Sequence, residues 1–284
     1  MPTVGFFFTL FADYGAERGG ELPGKWFVRA LEPFGVGEST VRQTLYRMVR
    51  EGMLASRRAG RNKIYRLTDL GQAATDPGRS RLQMKPENTW DGYWMLVTYQ
   101  FATEDRVART QLKDALFLEG FGQLTRGVHV HPRDKTEWLQ RALGRDDLLS
   151  HVNVFRSQRI GGQSDHDLVR SSWDLDSIRS GYERFISRFS PLARREWSHH
   201  DPSIAVQLRL ASVRSFLETA WHDPGFPLEL LPQSWPALRA QEIAETLYKK
   251  LKPPLMKYGD SLMSELNVAG LPRPARTPHR MAPC

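Results

Sequence analysis

Between residues 38 and 50 the apolar positions recur at helical spacing. Val41, Leu45 and Met48 fall at i, i+4 and i+7, which places them on one face of an α-helix. The opposite face is polar and basic. Ser39 stands where a helix N-cap is expected, because its hydroxyl can accept a bond from a free backbone N–H. The pattern therefore predicts an amphipathic helix with one buried face and one face open to a partner.

A basic hairpin is predicted directly after this helix. Gly52 ends the helix, since glycine readily adopts the left-handed conformation of a helix C-terminus. The segments 53–57 and 63–67 have the composition of two short strands, and the residues 58–62 between them include Gly60, which favours a turn. The hairpin is expected to extend from the same domain as the helix.

Two further helices are predicted upstream, over residues 6–14 and 26–31, with glycines and prolines between the segments. A short helix is expected over 69–75, after the hairpin. The order helix, helix, turn, helix, hairpin is typical of a winged helix-turn-helix. We therefore predict a DNA-binding domain of this kind over residues 1–76.

A different pattern begins after a polar stretch, 77–89, which is predicted to be a linker. Residues 90–101 alternate between the two faces of an extended strand. A strand, a helix, two strands, a helix and a strand then follow in order. This βαββαβ order predicts a ferredoxin-like domain over 90–158. The segments after the first strand are predicted at 105–119, 123–125, 128–131, 135–143 and 151–157.

The rest of the chain has helical spacing, over 174–189, 202–222 and 237–251. It predicts an all-α domain over 172–267. Residues 268–284 are rich in proline and poor in large apolar side chains, and they are expected to be disordered. The predicted fold class is α+β, with a winged helix-turn-helix, a ferredoxin-like domain and a C-terminal all-α domain.

Charge identifies the kind of partner. The chain has 284 residues and a formal net charge of +8, and residues 38–66 alone hold eight Lys or Arg against two acids. So local an excess of positive charge favours a polyanion as partner.

The single cysteine, Cys284, excludes an intrachain disulfide. The apolar N-terminal run is too short for a spanning helix or a signal peptide, so a cytoplasmic protein without membrane contact is expected.

The candidate DNA contacts lie on the polar face of the 38–50 helix and on the hairpin. Arginine, glutamine and tyrosine side chains on an exposed helix can reach base edges, and a basic hairpin suits phosphates or a minor groove. The alternative is a solvated basic helix beside a structural hairpin. The candidates are Ser39, Thr40, Arg42, Gln43, Tyr46, Arg47, Arg57, Arg58, Arg61, Asn62 and Lys63.

Catalytic chemistry is not expected. The predicted strand ends in Tyr99, Gln100 and Phe101, so no carboxylate stands where a ferredoxin-like nuclease would hold Mg²⁺. His129 and His131 share a strand face, but no third metal ligand is marked by spacing, and solvated or hydrogen-bonded histidines are expected. We predict neither an enzyme nor a cofactor or metal site.

Residues 221–236 contain four prolines and two tryptophans. Two interpretations stay open for this segment. It is either a packed connector whose indoles fill the core, or one wall of an effector pocket in which an indole stacks on a flat ring. The candidate effector residues are Arg194, Arg195, Trp221, His222, Trp235 and Arg239.

Three stretches together resemble the PaaX family, the phenylacetic-acid degradation repressors. They are GESTVRQTLYRMVREGMLASRRAGRNKIYRLTDLG, WDGYWMLVTY and DPGFPLELLPQSWP, in that order along the chain. The resemblance implies a homodimeric bacterial transcription factor that represses an aromatic-catabolism operon. It implies release from operator DNA by an aryl-CoA thioester such as phenylacetyl-CoA, and a middle domain similar to a CRISPR-associated nuclease without its catalysis.

Two rival functions remain. An RNA-binding protein would use the ferredoxin-like sheet as an aromatic platform, in which case Tyr93, Trp94 and Tyr99 should be exposed. A metal-dependent nuclease would cleave nucleic acid in the presence of Mg²⁺ or Mn²⁺.

Overall fold

The structure is a computed structural model and describes residues 3–83, 89–102, 105–143, 148–197 and 200–267. These residues pack into two compact units. The first takes in the described parts of 1–80, 192–214 and 245–284, and the second takes in those of 81–191 and 215–244. The predicted disordered tail, 268–284, lies outside the described residues.

The N-terminal elements follow the predicted order of helices and hairpin, with one addition. A three-residue strand, β1, pairs with the hairpin to give an antiparallel sheet of order β1-β3-β2. It was not predicted, because three residues ending in a proline give no alternating pattern. The elements are α1 Thr3–Asp13, β1 Glu21–Pro23, α2 Gly24–Leu31, α3 Glu38–Arg50, β2 Leu54–Ala59, β3 Asn62–Leu67 and α4 Asp69–Gln83.

Two local predictions in this region are wrong. The N-cap of α3 is Gly37, and no side chain caps the helix, so Ser39 lies in the first turn. The predicted linker 77–89 is helical as far as Gln83, because α4 continues through Pro77. Arg81, near the end of α4, donates to three backbone carbonyls. These tertiary contacts outweigh the weak helix propensity of the sequence.

The core of the first unit is aromatic. Phe7, Tyr14, Trp26 and Phe27 are each at most 1 % exposed, and the Tyr14 and Trp26 rings stack with centroids 4.9 Å apart. Apolar residues of the helical region complete the cluster, namely Val206, Leu210, Leu255 and Leu262. Part of the helical region thus supplies the buried surface that the short N-terminal helices cannot enclose by themselves.

Buried polar contacts hold these helices in place. The indole N–H of Trp26 donates to the Gly259 carbonyl at 3.1 Å, and the Tyr14 hydroxyl donates to Asp260 at 2.8 Å. A Cβ at position 259 would lie 2.3 Å from the Tyr14 ring, so the close approach requires glycine. The helices of the predicted all-α domain 172–267 are divided between the two units.

The second unit contains the predicted βαββαβ order. Its four strands form one antiparallel sheet of order β5-β6-β4-β7, as in a ferredoxin-like domain, and the first strand begins at Trp94 rather than at residue 90. Helices α5 and α6 cover one face through Leu112, Leu116 and Leu139. The elements are β4 Trp94–Tyr99, α5 Arg106–Glu119, β5 Gly122–Thr125, β6 Val128–His131, α6 Thr136–Leu143 and β7 Val152–Ser157.

Four more helices follow, α7 Asp165–Ser172, α8 Leu175–Ala193, α9 Pro202–Ala220 and α10 Ala237–Leu266. Helix α7 was not predicted. Its local signal is a capping box, in which Ser164 and Asp167 bond reciprocally to the backbone of the first turn. None of the helices in the described residues is long and apolar enough to cross a bilayer.

Candidate nucleic-acid interface

Helix α3 presents a polar face to solvent because its apolar face is buried in the core. Val41, Leu45 and Met48 are at most 1 % exposed, as the spacing predicts. At 3.6 residues per turn the intervening positions point away from them. Tyr46 is 65 % exposed, which is unusual for a large ring with no partner surface to meet.

Most of the predicted DNA contacts on this helix and on the hairpin are accessible. Arg47 and Asn62 are half-buried, and the others are exposed. The exposed residues are Ser39, Thr40, Arg42, Gln43, Tyr46, Arg57, Arg58, Arg61 and Lys63.

The hairpin is tighter than predicted. Its strands run to Ala59 and restart at Asn62, so only Gly60 and Arg61 form the turn. Gly60 has φ 58°, a left-handed conformation that favours glycine. Ile64 and Tyr65 anchor the base of the hairpin in the core. The basic side chains therefore project from a short, rigid ribbon.

Two of the candidate arginines are held by carboxylates of the same unit. The Nε of Arg42 donates to Glu38 at 2.8 Å, one helical turn away. Arg57 donates to both Glu21 oxygens, at 3.0 and 2.5 Å, and this contact lowers the pKa of Glu21 below its ordinary value. Sequence reasoning missed Glu21 because it lies 36 positions from Arg57 and on an unpredicted strand.

The pair with Glu21 distinguishes Arg57 from the other arginines of the hairpin. We expect Arg58→Ala or Arg61→Ala to reduce the dependence of log K on log salt by about 0.9 for each lost phosphate contact. Arg57→Ala should change the slope much less, because Glu21 already engages its guanidinium. Salt titrations of DNA binding by fluorescence anisotropy measure all three. An equal reduction in Arg57→Ala would show that the Glu21 pair opens on DNA.

The six candidate effector residues are divided between the two units. Arg194 and Arg195 belong to the first unit, and the other four belong to the second. Trp221 lies against the guanidinium of Arg81, which is 4.8 Å from its ring centroid. His222 is exposed beside Phe117, and Arg239 pairs with Glu242 at 2.9 Å. Among the six, Trp235 lines a cleft of the second unit.

The end of β4 carries no carboxylate, and the two nearby histidines fit the prediction of solvated or hydrogen-bonded rings only in part. His129 and His131 are buried, 4 % and 0 % exposed, rather than solvated. Among the described residues, one ring nitrogen of each has no hydrogen-bond partner, whereas the Nδ1 of His131 is hydrogen-bonded to the backbone of Arg133. Within the described ranges, no group of three or more His, Cys, Asp or Glu side chains could hold a metal ion.

Acid should destabilise the second unit through His129. Burial, with a contribution from Lys113, lowers the pKa of His129 from 6.5 to about 4. The unfolded chain therefore takes up a proton before the folded chain does. The neutral form contributes stability that is complete above pH 6.5 and is lost as the pH falls towards 4, by roughly 2 to 3 kcal/mol. Urea unfolding at several pH values should show a smaller loss in His129→Phe, and an equal loss would contradict this assignment.

The aromatic run of β4 does not form the exposed platform that an RNA-binding protein would use. Trp94 is 2 % exposed. Trp90 and Trp173 pack against it, and its indole N–H donates to Asp165 at 2.9 Å. Tyr93 and Tyr99 are only partly exposed. The aromatic run that predicted a strand therefore stabilises the unit instead of facing solvent.

Comparison with known proteins identifies the family. Three family models match consecutive parts of the chain. They are described as a PaaX-like protein over residues 3–71, a PaaX protein central Cas2-like domain over 87–169, and a PaaX-like protein C-terminal domain over 173–260. The resemblance inferred from the three sequence stretches is confirmed.

Individual relatives agree. The chain is 28 % identical over 272 residues to the transcriptional repressor PaaX of Escherichia coli, covering 94 % of this chain and 85 % of that protein. Its fold is similar to that of the uncharacterised protein Rv0674 from Mycobacterium tuberculosis. That comparison has a TM-score of 0.55 and 21 % identity, and it covers 84 % of this chain and 90 % of the other. Matches to three successive models, in the family's order and over most of the chain, show that this protein belongs to the PaaX family.

Proposed function

We propose that this protein is a DNA-binding transcriptional repressor. A homodimer places the two α3 helices in successive major grooves of a palindromic operator, and the β2–β3 hairpins lie on the flanking backbone or in the minor groove. The N-terminal elements act as a winged helix-turn-helix in this arrangement. Phosphate contacts supply affinity, and the side chains of α3 read the sequence.

The observation that carries the proposal is the exposed polar face of α3 followed by a basic hairpin. Gln43 and Tyr46 on that face have donor and acceptor groups suited to base edges, and Arg58, Arg61 and Lys63 on the hairpin are exposed cations. A solvated basic helix would account for the charge but not for a large exposed ring at Tyr46. The E. coli relative, a transcriptional repressor, supports the same function.

We also propose that an aromatic effector releases the protein from DNA. In keeping with the family resemblance, the effector is an aryl-CoA thioester such as phenylacetyl-CoA, and the regulated genes form an aromatic-catabolism operon. Release requires two states of the protein that differ in affinity for the effector. The two states would differ in the spacing of the two α3 helices.

Fluorescence anisotropy tests both proposals. Labelled DNA from upstream of this gene and its neighbours is titrated with protein at two salt concentrations, with and without phenylacetyl-CoA. We expect tight, sequence-selective binding that the thioester abolishes. Selective binding unaffected by the thioester would keep the repressor and reject this effector. Weak, unselective and merely salt-sensitive binding would reject operator recognition.

The helix itself should determine sequence preference. We expect Arg47→Ala to remove roughly 1 to 3 kcal/mol of discrimination at particular base pairs, because it loses hydrogen bonds to base edges. Arg42→Ala should have the same effect if DNA displaces Glu38 from Arg42. Binding to a set of singly substituted operators measures it. Arg239→Ala, which removes a surface arginine of the second unit, is the control and should change nothing. A loss spread evenly over all sequences would make these residues backbone contacts.

A further inference from the structure

A cleft in the second unit has walls of apolar side chains. Phe216, Phe226 and Leu231 line it, together with Trp235 from the proline-rich segment 221–236. All four are largely buried, with exposed fractions between 1 % and 8 %. An apolar lining with a few polar groups is typical of a site for a flat, hydrophobic molecule.

The charged groups at this cleft compensate one another. Arg81 donates to the carbonyls of Ala220, Asp223 and Leu118, each at 2.9 Å. The Asp223 carboxylate accepts from the Tyr182 hydroxyl at 2.9 Å and from the Gly225 N–H at 2.8 Å. Asp223 is 3 % exposed, and burial raises its pKa. Arg81 is therefore fully engaged, and the guanidinium of Arg179, 5.1 Å from the centroid of the Trp235 ring, is paired with Glu183 at 3.8 Å.

One donor at the cleft is different. The indole nitrogen of Trp235 is buried, and the part of the chain that the structure describes supplies no acceptor for it. A buried donor without a partner costs roughly 1 to 3 kcal/mol. The preceding residue, Ser234, has φ 58°, a left-handed conformation rare for a residue with a side chain. Strain of this kind is concentrated at functional sites.

We propose that this cleft binds an uncharged aromatic compound carrying one hydrogen-bond acceptor, which receives the N–H of Trp235. The ring packs against the apolar walls, and the N–H of Trp235 donates to the acceptor. A carboxylate at the same place would lose its hydration, while the guanidinium of Arg81 is already bonded to three backbone carbonyls and cannot compensate it. The acceptor is therefore a neutral carbonyl, such as that of an amide or a thioester.

The cleft is narrow in the state described, with room for about one water-sized group. An aromatic ring enters only when the segment 221–236 moves outward. A ligand that binds only the open state shifts the protein towards it. The proposal that this ligand regulates DNA binding rests on the proposed function. The proposal that the cleft binds such a ligand does not.

Three small molecules of similar ring size test the chemistry directly. Benzamide has a neutral acceptor, benzoate has a charged one and toluene has none. Protein labelled with ¹⁵N-tryptophan should give one indole signal for each of its eight tryptophans, and Trp235→Phe identifies the signal of Trp235. We expect benzamide to move that signal downfield in a saturable way, as a new hydrogen bond does. Benzoate should bind at least tenfold more weakly, and toluene should cause no downfield shift.

Two variants separate a ligand contact from a structural role. Trp235→Phe keeps a ring but loses the N–H, so benzamide should bind about fivefold more weakly, the effect of one hydrogen bond. Toluene binding should not change. Trp138→Phe alters a tryptophan of the same unit that packs on Phe121 and does not line the cleft, and it should leave both affinities as they were. Ligand-observed NMR measures these affinities.

Equal binding of benzoate and benzamide, or a Trp235 signal that no compound moves, would overturn the proposal. In the second case the indole N–H is bonded to a buried water only. These titrations contain no DNA, so their outcome does not depend on operator binding. Adding benzamide to the protein–DNA complex then tests the regulatory role. Failure of DNA binding itself would reject the proposed function while leaving the ligand site standing.

Discussion

Asp13→Ala is expected to lower the free energy of unfolding of the first unit by about 3 to 5 kcal/mol. Asp13 accepts two hydrogen bonds from Arg209, at 2.6 and 3.2 Å. Both side chains are less than a tenth exposed. Removing the carboxylate leaves the buried guanidinium without the partner that neutralises its charge. The guanidinium also lies 4.6 Å from the centroid of the Tyr248 ring, and this contact cannot replace an ion pair.

Urea denaturation followed by near-ultraviolet circular dichroism measures the loss. The double variant Asp13→Leu with Arg209→Met replaces both charges by apolar groups and should recover most of the stability. Glu196→Ala removes an exposed ion pair with Lys250 and is the matched control, with an unchanged midpoint expected. If Asp13→Ala behaved like Glu196→Ala, the buried pair would contribute nothing to the first unit.

Arg81→Ala should destabilise the second unit by a similar amount, about 3 to 5 kcal/mol. Three backbone carbonyls lose their donor at once, and two of them belong to Ala220 and Asp223 beside the proposed ligand cleft. Arg81 is 9 % exposed, so water cannot freely take its place. The variant should also speed amide hydrogen exchange around residues 216–226.

Arg81→Lys is the informative companion. It keeps the positive charge, but one ammonium group cannot reproduce the fork of a guanidinium that reaches three carbonyls. An intermediate loss is expected. A change within about 0.5 kcal/mol in Arg81→Ala, the range of ordinary surface substitutions, would show that these hydrogen bonds do not stabilise the unit.

Local patterns in the sequence predicted the elements that present the candidate interface. Val41, Leu45 and Met48 repeat at helical spacing, and Gly52 and Gly60 are found at a helix end and a turn, as predicted. Such features depend on neighbours only a few residues away. The order of strands and helices in the second unit was predicted for the same reason, since alternation and helical periodicity are both local.

Long-range pairing could not be predicted in this way. Arg209 lies 196 positions from Asp13, and Arg81 lies in a stretch whose proline and glycine indicate a linker. Nothing in a local window distinguishes a buried arginine from a solvated one. The division of the predicted helical domain between two units could not be predicted for the same reason. An apolar face shows that a helix is packed against another element, but it does not show which element.

By itself, the sequence determined the type and order of most elements, the polar face of α3 and the family. These follow from periodicity, from glycine positions and from three recognisable stretches. Only the tertiary structure decided that Glu21 holds Arg57, that α4 continues to Gln83, and that Trp235 has an unpaired donor beside a neutralised charge cluster. The physical reason is that these properties depend on contacts between residues far apart in the sequence. Such contacts, and the burial that strengthens them, exist only once the whole core has folded.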